Sequence, residues 1–109
     1  MAHTLETIRK RSTFVMIRGK GKVIYGKTMN IQFLKNQNLD NNIYVGFTAT
    51  KKIGAAVCRN KAKRIMRELA RKVILKFGKI NAYYVLIAKP TIFETPFHSQ
   101  EIELKKLIS

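Results

Sequence analysis

"TKKIGAAVCRNKAKRIMRELARK", residues 50–72, carries nine lysines and arginines against a single carboxylate, Glu68. At 100° per residue, residues 61–77 form a helix with two separate faces. The apolar face collects Ala62, Ile65, Met66, Leu69, Ala70, Val73 and Phe77. The basic face collects Lys63, Arg64, Arg67 and Arg71. This pattern predicts a helix that buries its apolar face in the domain and presents its cations outward.

The basic face destabilises the helix that carries it. Lys63, Arg67 and Arg71 follow one another at four-residue spacing, where each like-charge pair costs roughly 0.2–0.5 kcal/mol. The helix macrodipole also disfavours cations in the N-terminal half. Only Arg64 is placed to meet Glu68. Burial of the apolar face, at roughly 25 cal/mol per Å², can offset these costs. We therefore predict a polyanionic partner for the basic face, with an ordinary solvated helix face as the alternative.

The same charge excess extends over the whole chain. Twenty-two lysines and arginines against six acidic residues give a formal net charge of +16. Solubility in a small domain needs a magnitude of only about 2–8, whereas a larger excess attracts polyanions. Nucleic acid is therefore the favoured partner class. A membrane surface or an acidic protein is the alternative.

Length and composition limit the remaining possibilities. The 109 residues predict a single domain, residues 1–109, and a hydrophobic fraction of 46% is enough to build a core. The longest strongly apolar run, residues 82–88, is seven residues long, and a membrane span needs about 20. The single cysteine, Cys58, excludes an internal disulfide and offers no zinc-ligand set. We expect a cytoplasmic protein without a membrane segment.

Hydrophobic periodicity predicts an α+β sandwich with helices packed on about four strands, in the order αβββαβα. Met29, Ile31 and Phe33 alternate with polar residues as in a half-buried strand, and the polar residues 35–42 are expected to form a hairpin connection. Residues 82–88, "AYYVLIA", do not alternate, which predicts a strand buried on both faces. The other predicted features are a disordered segment over residues 1–8, a helix over residues 8–17, a strand over residues 44–50, a stop for the basic helix at Gly78 and a last helix after Thr95 and Pro96.

Several polar and basic residues lie where they could contact phosphate groups. Asn60, at the predicted start of the basic helix, can cap it through its side-chain oxygen. Free backbone N–H groups at the same place, beside Arg59 and Lys61, can instead hold a phosphate, and the two roles are compatible. Lys51 and Lys52, on a loop after a strand, are predicted phosphate contacts.

Other candidates have two interpretations. Phe14 can stack on an RNA base, which contributes about 1–3 kcal/mol, or it can pack in the core of the first helix. Strand alternation favours a core position for Phe33. Lys89, at the end of the apolar strand, can line a cleft. The six scattered acidic residues assemble no acid–base pair or metal cage, so we predict no catalytic or metal-binding residue in the polypeptide.

Residues 45–68, "VGFTATKKIGAAVCRNKAKRIMRE", resemble the protein subunit family of bacterial ribonuclease P. That family carries a strand, a Ser/Thr-Lys-Lys-x-Gly loop and an Arg-Asn-Arg helix with further cations. The resemblance covers most of residues 9–108, weakly over residues 20–43. It implies a ribosomal-protein-S5-like fold with a left-handed crossover between the strand ending near Thr50 and the strand at Ala82. The matching residues are Thr50, Lys51, Lys52, Gly54, Ala56, Val57, Arg59, Asn60, Lys63, Arg64, Arg67 and Glu68.

The resemblance also implies an accessory role in an endoribonuclease whose RNA subunit uses Mg²⁺ to release the 5′ leader of precursor tRNA. The implied partners are RNase P RNA and precursor tRNA, with no obligate protein partner and no membrane. The implied RNA-binding residues are Lys51, Lys52, Arg59, Asn60, Lys61, Lys63, Arg64, Arg67 and Arg71. A cleft between the sheet and the N-terminal helix would hold the single-stranded leader through Phe14, Arg18, Phe33, Thr50 and Lys89. The alternative function is a structural ribosomal-type RNA-binding protein with no role in cleavage.

Two positions depart from the family pattern. Lys61 occupies the third position of the Arg-Asn-Arg motif, and lysine lacks the bidentate fork of arginine. Arg18 stands where many members of the family have a second aromatic residue. The leader cleft of this chain is therefore expected to depend less on base stacking and more on charge.

The concentration of cations predicts that multivalent anions stabilise the folded protein. Sulfate binds the folded basic surface more tightly than it binds the expanded chain, so it shifts the unfolding equilibrium toward the folded state. We expect the melting temperature to rise with sulfate concentration beyond the rise in chloride at matched ionic strength. Identical curves in the two salts would reject specific anion sites.

Overall fold

The computed structural model describes residues 4–109 and contains one five-stranded sheet in the order β1-β4-β5-β3-β2. The strands are β1 (Leu5–Thr7), β2 (Lys22–Tyr25), β3 (Met29–Lys35), β4 (Ile43–Thr48) and β5 (Ala82–Ala88). The helices are α1 (Arg11–Lys20), α2 (Ala56–Leu69), α3 (Leu75–Phe77) and α4 (Phe97–Ile108). A π-helical turn, Ala70–Ile74, joins α2 to α3, and short 3-10 turns lie at Lys51–Ile53 and Pro90–Phe93.

Strand β5 is the centre of the sheet, and the prediction of a strand buried on both faces is confirmed in part: one face is buried throughout, whereas on the other Val85 is buried and Tyr83 and Ile87 are half-buried. It pairs in parallel with β4 and antiparallel with β3. Tyr84 and Leu86 are buried on one face, and Val85, which points to the other face, is buried as well. A central strand that loses water on both sides needs apolar residues at consecutive positions.

Helices α2 and α4 cover the first face of the sheet and form the larger core. Met66, Leu69 and Leu104 are fully buried against the sheet residues of that face. The helical wheel correctly predicts the buried positions Ala62, Met66, Leu69, Ala70 and Val73. Gly78 ends the helical segment as predicted, and its N–H donates to the carbonyl oxygen of Ile74 at 2.8 Å.

The π-helical turn corrects the end of the predicted apolar face. A π turn bonds residues five apart and therefore rotates the following residues relative to a regular helix. Ile74, absent from the predicted face, is fully buried, whereas Phe77, predicted to point inward, is 50% exposed. A wheel drawn at a constant 100° per residue cannot represent this rotation.

Helix α1 covers the second face of the sheet and does so only in part. Ile17 is fully buried there with Ile8 and Val85, in a cluster separate from the larger core. Phe14 packs directly on the backbone of β4 at Gly46. A Cβ atom at position 46 would lie 2.5 Å from the Phe14 Cε1 atom, so only glycine permits this approach of α1 to the sheet.

The N-terminal strand is a correction to the predicted order, which becomes βαβββαβα. Disorder over residues 1–8 is wrong for Leu5–Thr7, which pair in parallel with β4, and for Ile8, whose N–H donates to the Val45 carbonyl at 2.8 Å. Residues 1–3 lie outside the described residues. The strand has only three residues and no buried side chain, so its sequence carries no alternation to detect. Helix α1 also begins and ends about three residues later than predicted.

The connection after β3 is a second correction. Residues 35–42 do not form a hairpin, because β5 lies between β3 and β4 in the sheet. Asp40 and Asn41 adopt positive φ angles of 54° and 62°, as expected of turn residues. Local turn chemistry shows that the chain reverses there, but not which strand will lie beside it. The left-handed hand of the β4–β5 crossover stays a prediction.

The contact between Phe14 and Gly46 predicts a specific defect. Gly46→Ala should destabilise the fold by about 1–3 kcal/mol, because the added methyl group forces α1 away from the sheet. Denaturant unfolding of the purified protein measures this change.

Gly19 provides the matched control within α1. No atom lies within 4 Å of a Cβ placed there, so Gly19→Ala should be neutral or stabilise by about 0.5–1 kcal/mol. Adding Phe14→Leu to Gly46→Ala should recover part of the loss. A Gly46→Ala protein as stable as wild type would show that α1 does not depend on this contact.

Candidate nucleic-acid interface

The exposed side of α2 and of the π-helical turn that follows it presents four of the eight predicted RNA-binding cations to solvent. Lys61, Arg64, Arg67 and Arg71 are exposed, and Lys63 is half-buried. Within residues 4–109, the only ion pair on this helix joins Arg71 Nη1 to Glu68 Oε1 at 2.6 Å. The predicted pairing of Arg64 with Glu68 is therefore wrong. Arg64 keeps its charge free of any acidic partner among the described residues.

Two of these cations lie over aromatic rings. The Arg67 guanidinium carbon is 5.7 Å from the centre of the Phe47 ring, and Lys61 Nζ is 5.6 Å from that of Phe93. Exposed cation–π contacts contribute about 0.5–1 kcal/mol each. They restrict the basic side chains without neutralising them, so the charges remain available to an anion.

The start of α2 corrects the predicted role of Asn60. The helix begins at Ala56, with Ala55 at the N-cap and no capping side chain. Asn60 is thus inside the helix and does not cap it, and the predicted phosphate site on free N–H groups beside it is wrong. Arg59 instead donates from Nη1 to the Gly54 carbonyl oxygen at 2.8 Å, which ties the first turn of the helix to the preceding loop.

The loop before α2 is a fixed 3-10 turn that holds Lys51 and Lys52 in the solvent. Thr50 caps this turn, because its Oγ1 accepts from the Lys52 N–H at 3.3 Å. Ile53 is buried and anchors the turn to the larger core. Gly54 follows with φ of 132°, a conformation that other residues rarely adopt.

Two of the five predicted leader-cleft residues, Thr50 and Lys89, line one cavity, and the other three do not line it. The cavity measures about 650 Å³. Lys89 is half-buried, and its Nζ donates to the Gly26 carbonyl oxygen at 2.6 Å. Lys89 therefore holds the β2–β3 turn at the rim of the cavity. The lining residues are Asn30, Thr50, Lys51, Lys52, Ile87, Ala88, Lys89 and Pro90.

Phe14 and Arg18 lie together on α1 and line a second cavity of about 390 Å³. Phe14 is half-buried because its ring packs on Gly46, and Arg18 is exposed. Phe14 is thus compatible with both predicted roles: its ring packs on the sheet, and the part of the ring that lines the cavity is accessible to a base. Arg9 and Arg11, which the sequence analysis did not assign, line the same cavity.

Phe33 is a correction, because it does not belong to the predicted cleft. Its ring centre lies 5.1 Å from that of Tyr84 on the α4 face of the sheet, and Lys79 Nζ lies 5.8 Å from the Phe33 ring centre. The alternation of Met29, Ile31 and Phe33 already places all three on one face, and the first two are fully buried. The residues of β3 that face α1 are therefore Asn30, Gln32 and Leu34, and Leu34 packs with the smaller core.

Asn30 and Ile87 are cavity residues that the sequence analysis missed. They are aligned across β3 and β5 and point to the face that α1 covers in part. Asn30 Oδ1 accepts from the Gly26 N–H at 3.2 Å, which fixes the side chain at the edge of the cavity. The alternation that places Phe33 in the core could have identified Asn30 as its counterpart on the other face.

Tyr84 is a buried titratable residue whose hydroxyl belongs to the larger core. Burial raises the pKa of its hydroxyl, and the Lys79 backbone N–H, which donates to that oxygen at 2.9 Å, lowers it in part. Tyr84 therefore has a structural role. Among residues 4–109, no group of three or more His, Cys, Asp or Glu side chains could hold a metal ion. No helix in that range is long and apolar enough to cross a membrane.

These features define a small, basic α+β domain of the nucleic-acid-binding class, with its cations on one helix, one loop and the rim of a cleft. The chain belongs to the ribonuclease P protein family, since the family model described as Ribonuclease P matches residues 3–109.

Individual relatives agree with this assignment. The ribonuclease P protein component of Caulobacter vibrioides is 43% identical over 89 residues, which are 80% of this chain and 59% of that protein. The chain thus spans less than two thirds of that relative. The component from Alkaliphilus metalliredigens is 36% identical over 103 residues, covering 93% of this chain and 88% of the relative.

Solved structures of the family have the same fold. The RNase P protein from Thermotoga maritima superposes with a TM-score of 0.80 at 26% identity, over 94% of both chains. The RNase P protein of Staphylococcus aureus gives a TM-score of 0.76 at 25% identity, over 93% of this chain and 90% of that one.

Arg67 offers a direct test of the basic face of α2. Arg67→Ala should reduce the salt dependence of RNA binding, with the slope of log K against log salt falling by about 0.7–0.9 for one lost phosphate contact. Lys35→Ala, at an exposed lysine on the end of β3, is the matched control and should leave the slope unchanged. If the two variants behave alike, Arg67 does not contact phosphate.

Proposed function

We propose that this chain is the protein subunit of a ribonuclease P ribonucleoprotein and assists removal of the 5′ leader from precursor tRNA in the cytoplasm. Family membership carries the proposal, and the distribution of charge supports it. The turn Lys51–Ile53, helix α2 and the π-helical turn after it follow one another closely in sequence. Together they expose six of the predicted cations, Lys51, Lys52, Lys61, Arg64, Arg67 and Arg71. A surface of this kind suits the phosphate backbone of a folded RNA.

The leader is assigned to the second face of the sheet, where α1 leaves part of the surface uncovered. The cavity at Thr50 and Lys89 opens on that face and carries the exposed cations Lys51 and Lys52 at its rim. Phe14 and Arg18 lie on α1 beside it. A single strand needs a charged groove for its backbone and a few flat side chains for its bases, and Phe14 is the one aromatic residue of the predicted set on this face.

Mg²⁺ is assigned to the RNA subunit. Among the described residues no three acidic, His or Cys side chains cluster into a metal cage, and Glu103 holds the β2–β3 turn by accepting from the Lys27 and Thr28 N–H groups and the Thr28 hydroxyl at 2.7–3.0 Å. The metal supplies the hydrolytic chemistry when it is bound to RNA. The polypeptide contributes by neutralising phosphates and by binding the substrate, and no obligate protein partner is proposed.

Reconstitution at low Mg²⁺ tests the proposal. RNase P RNA and precursor tRNA are incubated with and without the protein, and the released leader is measured. We expect cleavage at a Mg²⁺ concentration where the RNA alone is nearly inactive, because the cations of the protein replace part of the Mg²⁺ that screens phosphate repulsion.

A double substitution, Lys51→Gln with Lys52→Gln, should raise the Mg²⁺ concentration needed for cleavage, while Lys35→Gln should not. A structural ribosomal-type protein would bind RNA and leave the cleavage rate unchanged. That outcome would replace the proposed function with the alternative one.

A further inference from the structure

The second face of the sheet has another open region, on the opposite side of the α1 contact from the proposed leader cleft. Phe14 rests on Gly46, which is aligned with Val85. Thr48 and Ile87 lie two residues from this pair in one direction along the strands, beside the cleft. Two residues in the other direction, Tyr44 is aligned with Tyr83. Contact with α1 therefore divides this face into two separate regions.

Tyr44 and Tyr83 form an incompletely covered aromatic pair. Their ring centres are 5.8 Å apart, the ring planes are inclined at 53°, and both side chains are half-buried. Neither hydroxyl makes a hydrogen bond to another residue in the range 4–109 that the structure describes. Both rings pack in part against the smaller core of Ile8, Ile17 and Val85, and the rest of each ring stays accessible to a flat ligand.

A cavity of about 340 Å³ lies over this pair. It is large enough for one nucleobase but too small for a folded element. Arg9 and Lys10, both exposed, stand at its rim. No carboxylate from the described residues lines it. Glu6, the acidic residue aligned with Tyr44 on the neighbouring strand, accepts from the Thr4 hydroxyl at 2.7 Å. The lining residues are Thr7, Ile8, Arg9, Lys10, Thr13, Leu39, Tyr44 and Tyr83.

The chemistry of this cavity fits an unstacked nucleotide. Aromatic faces accept any base by stacking, and the adjacent cations suit its phosphate. Arg9 also lines the α1 cavity that contains Phe14 and Arg18, so basic surface continues from the tyrosine cavity to the α1 cavity. Tyr83 lies four residues from Ile87 along β5, roughly 13 Å at 3.3 Å per residue, a separation that a single strand of a few nucleotides spans.

We infer that the Tyr44–Tyr83 cavity binds a base of the single-stranded leader of precursor tRNA, upstream of the nucleotides held in the cleft. The inference rests on the proposed function and extends it. It gives the protein a second leader site, on the far side of α1. Affinity for a precursor therefore depends on leader length beyond the reach of the cleft.

The test uses the reconstituted ribonucleoprotein and precursors whose leaders are lengthened one nucleotide at a time. Tyr83→Leu should weaken binding of long-leader precursors by about 5- to 100-fold, the loss expected for one stacked base. Binding of the shortest leaders should not change. Tyr83→Phe keeps the ring and should bind as wild type does. Phe77→Leu, at an exposed ring on α3, is the control for loss of an aromatic group elsewhere.

Lys10→Gln keeps the test decisive if Tyr83→Leu folds poorly, because Lys10 is exposed and its side chain caps nothing. For the Lys10→Gln protein, the slope of log K against log salt for precursor binding should fall by about 0.7, and only for precursors with long leaders. Tyr83→Leu and Lys10→Gln proteins that match wild type at every leader length would overturn the inference. Equal losses at all lengths, or loss of affinity for RNase P RNA itself, would also overturn it.

The two proposals fail in different ways. If the wild-type protein does not promote cleavage of any precursor, the proposed function is wrong. If it promotes cleavage and the substitutions have no length-dependent effect, only the second leader site is wrong.

Discussion

The unequal coverage of the two faces of the sheet around β5 determines the rest of the structure. The centre of the sheet must lose water on both sides, since Tyr84, Val85 and Leu86 are all buried. Helices α2 and α4 cover most of one face, whereas the ten residues of α1 cover a smaller part of the other. The remainder of the second face stays accessible beside a stable core. A domain of this size can thus keep an open binding surface without giving up its central strand.

The larger core also makes the charge distribution possible. Helix α2 carries cations at like-charge spacing, and its residues 62, 66 and 69 are fully buried on the opposite side. Burial of these side chains at roughly 25 cal/mol per Å² outweighs repulsion of a few tenths of a kcal/mol per pair. The contact of Arg67 with Phe47 restricts its side chain without neutralising it. Apart from the Arg71–Glu68 ion pair, the described residues offer these cations no acidic partner, which is why an external polyanion should stabilise the domain.

The sequence predicts best the features that depend on local periodicity. The apolar face of α2 and its exposed cations follow from the 3.6-residue period, β5 from an unbroken apolar run, and the helix stop from Gly78. Prediction from the sequence fails where a feature depends on contacts between residues that are far apart in the chain. Strand β1 exists because β4 offers an edge, and β5 enters between β3 and β4 across an intervening helix. The assignment of Phe33 to the cleft followed the family resemblance, although the alternation around it already indicated the core. The position of Asn60 depended on where the helix began, and helix boundaries are poorly encoded when no capping residue is present.

Glycine 46 connects the packing of the domain to its proposed binding surface. Because no side chain stands at this position, the Phe14 ring reaches the backbone of β4 and sets the height of α1 above the sheet. That height determines the depth of the open regions on both sides of the helix. A larger residue at position 46 would therefore change the shape of the cleft and of the tyrosine cavity together, even though it contacts neither RNA nor the basic helix. The same contact that completes the smaller core also defines the space available to a single strand.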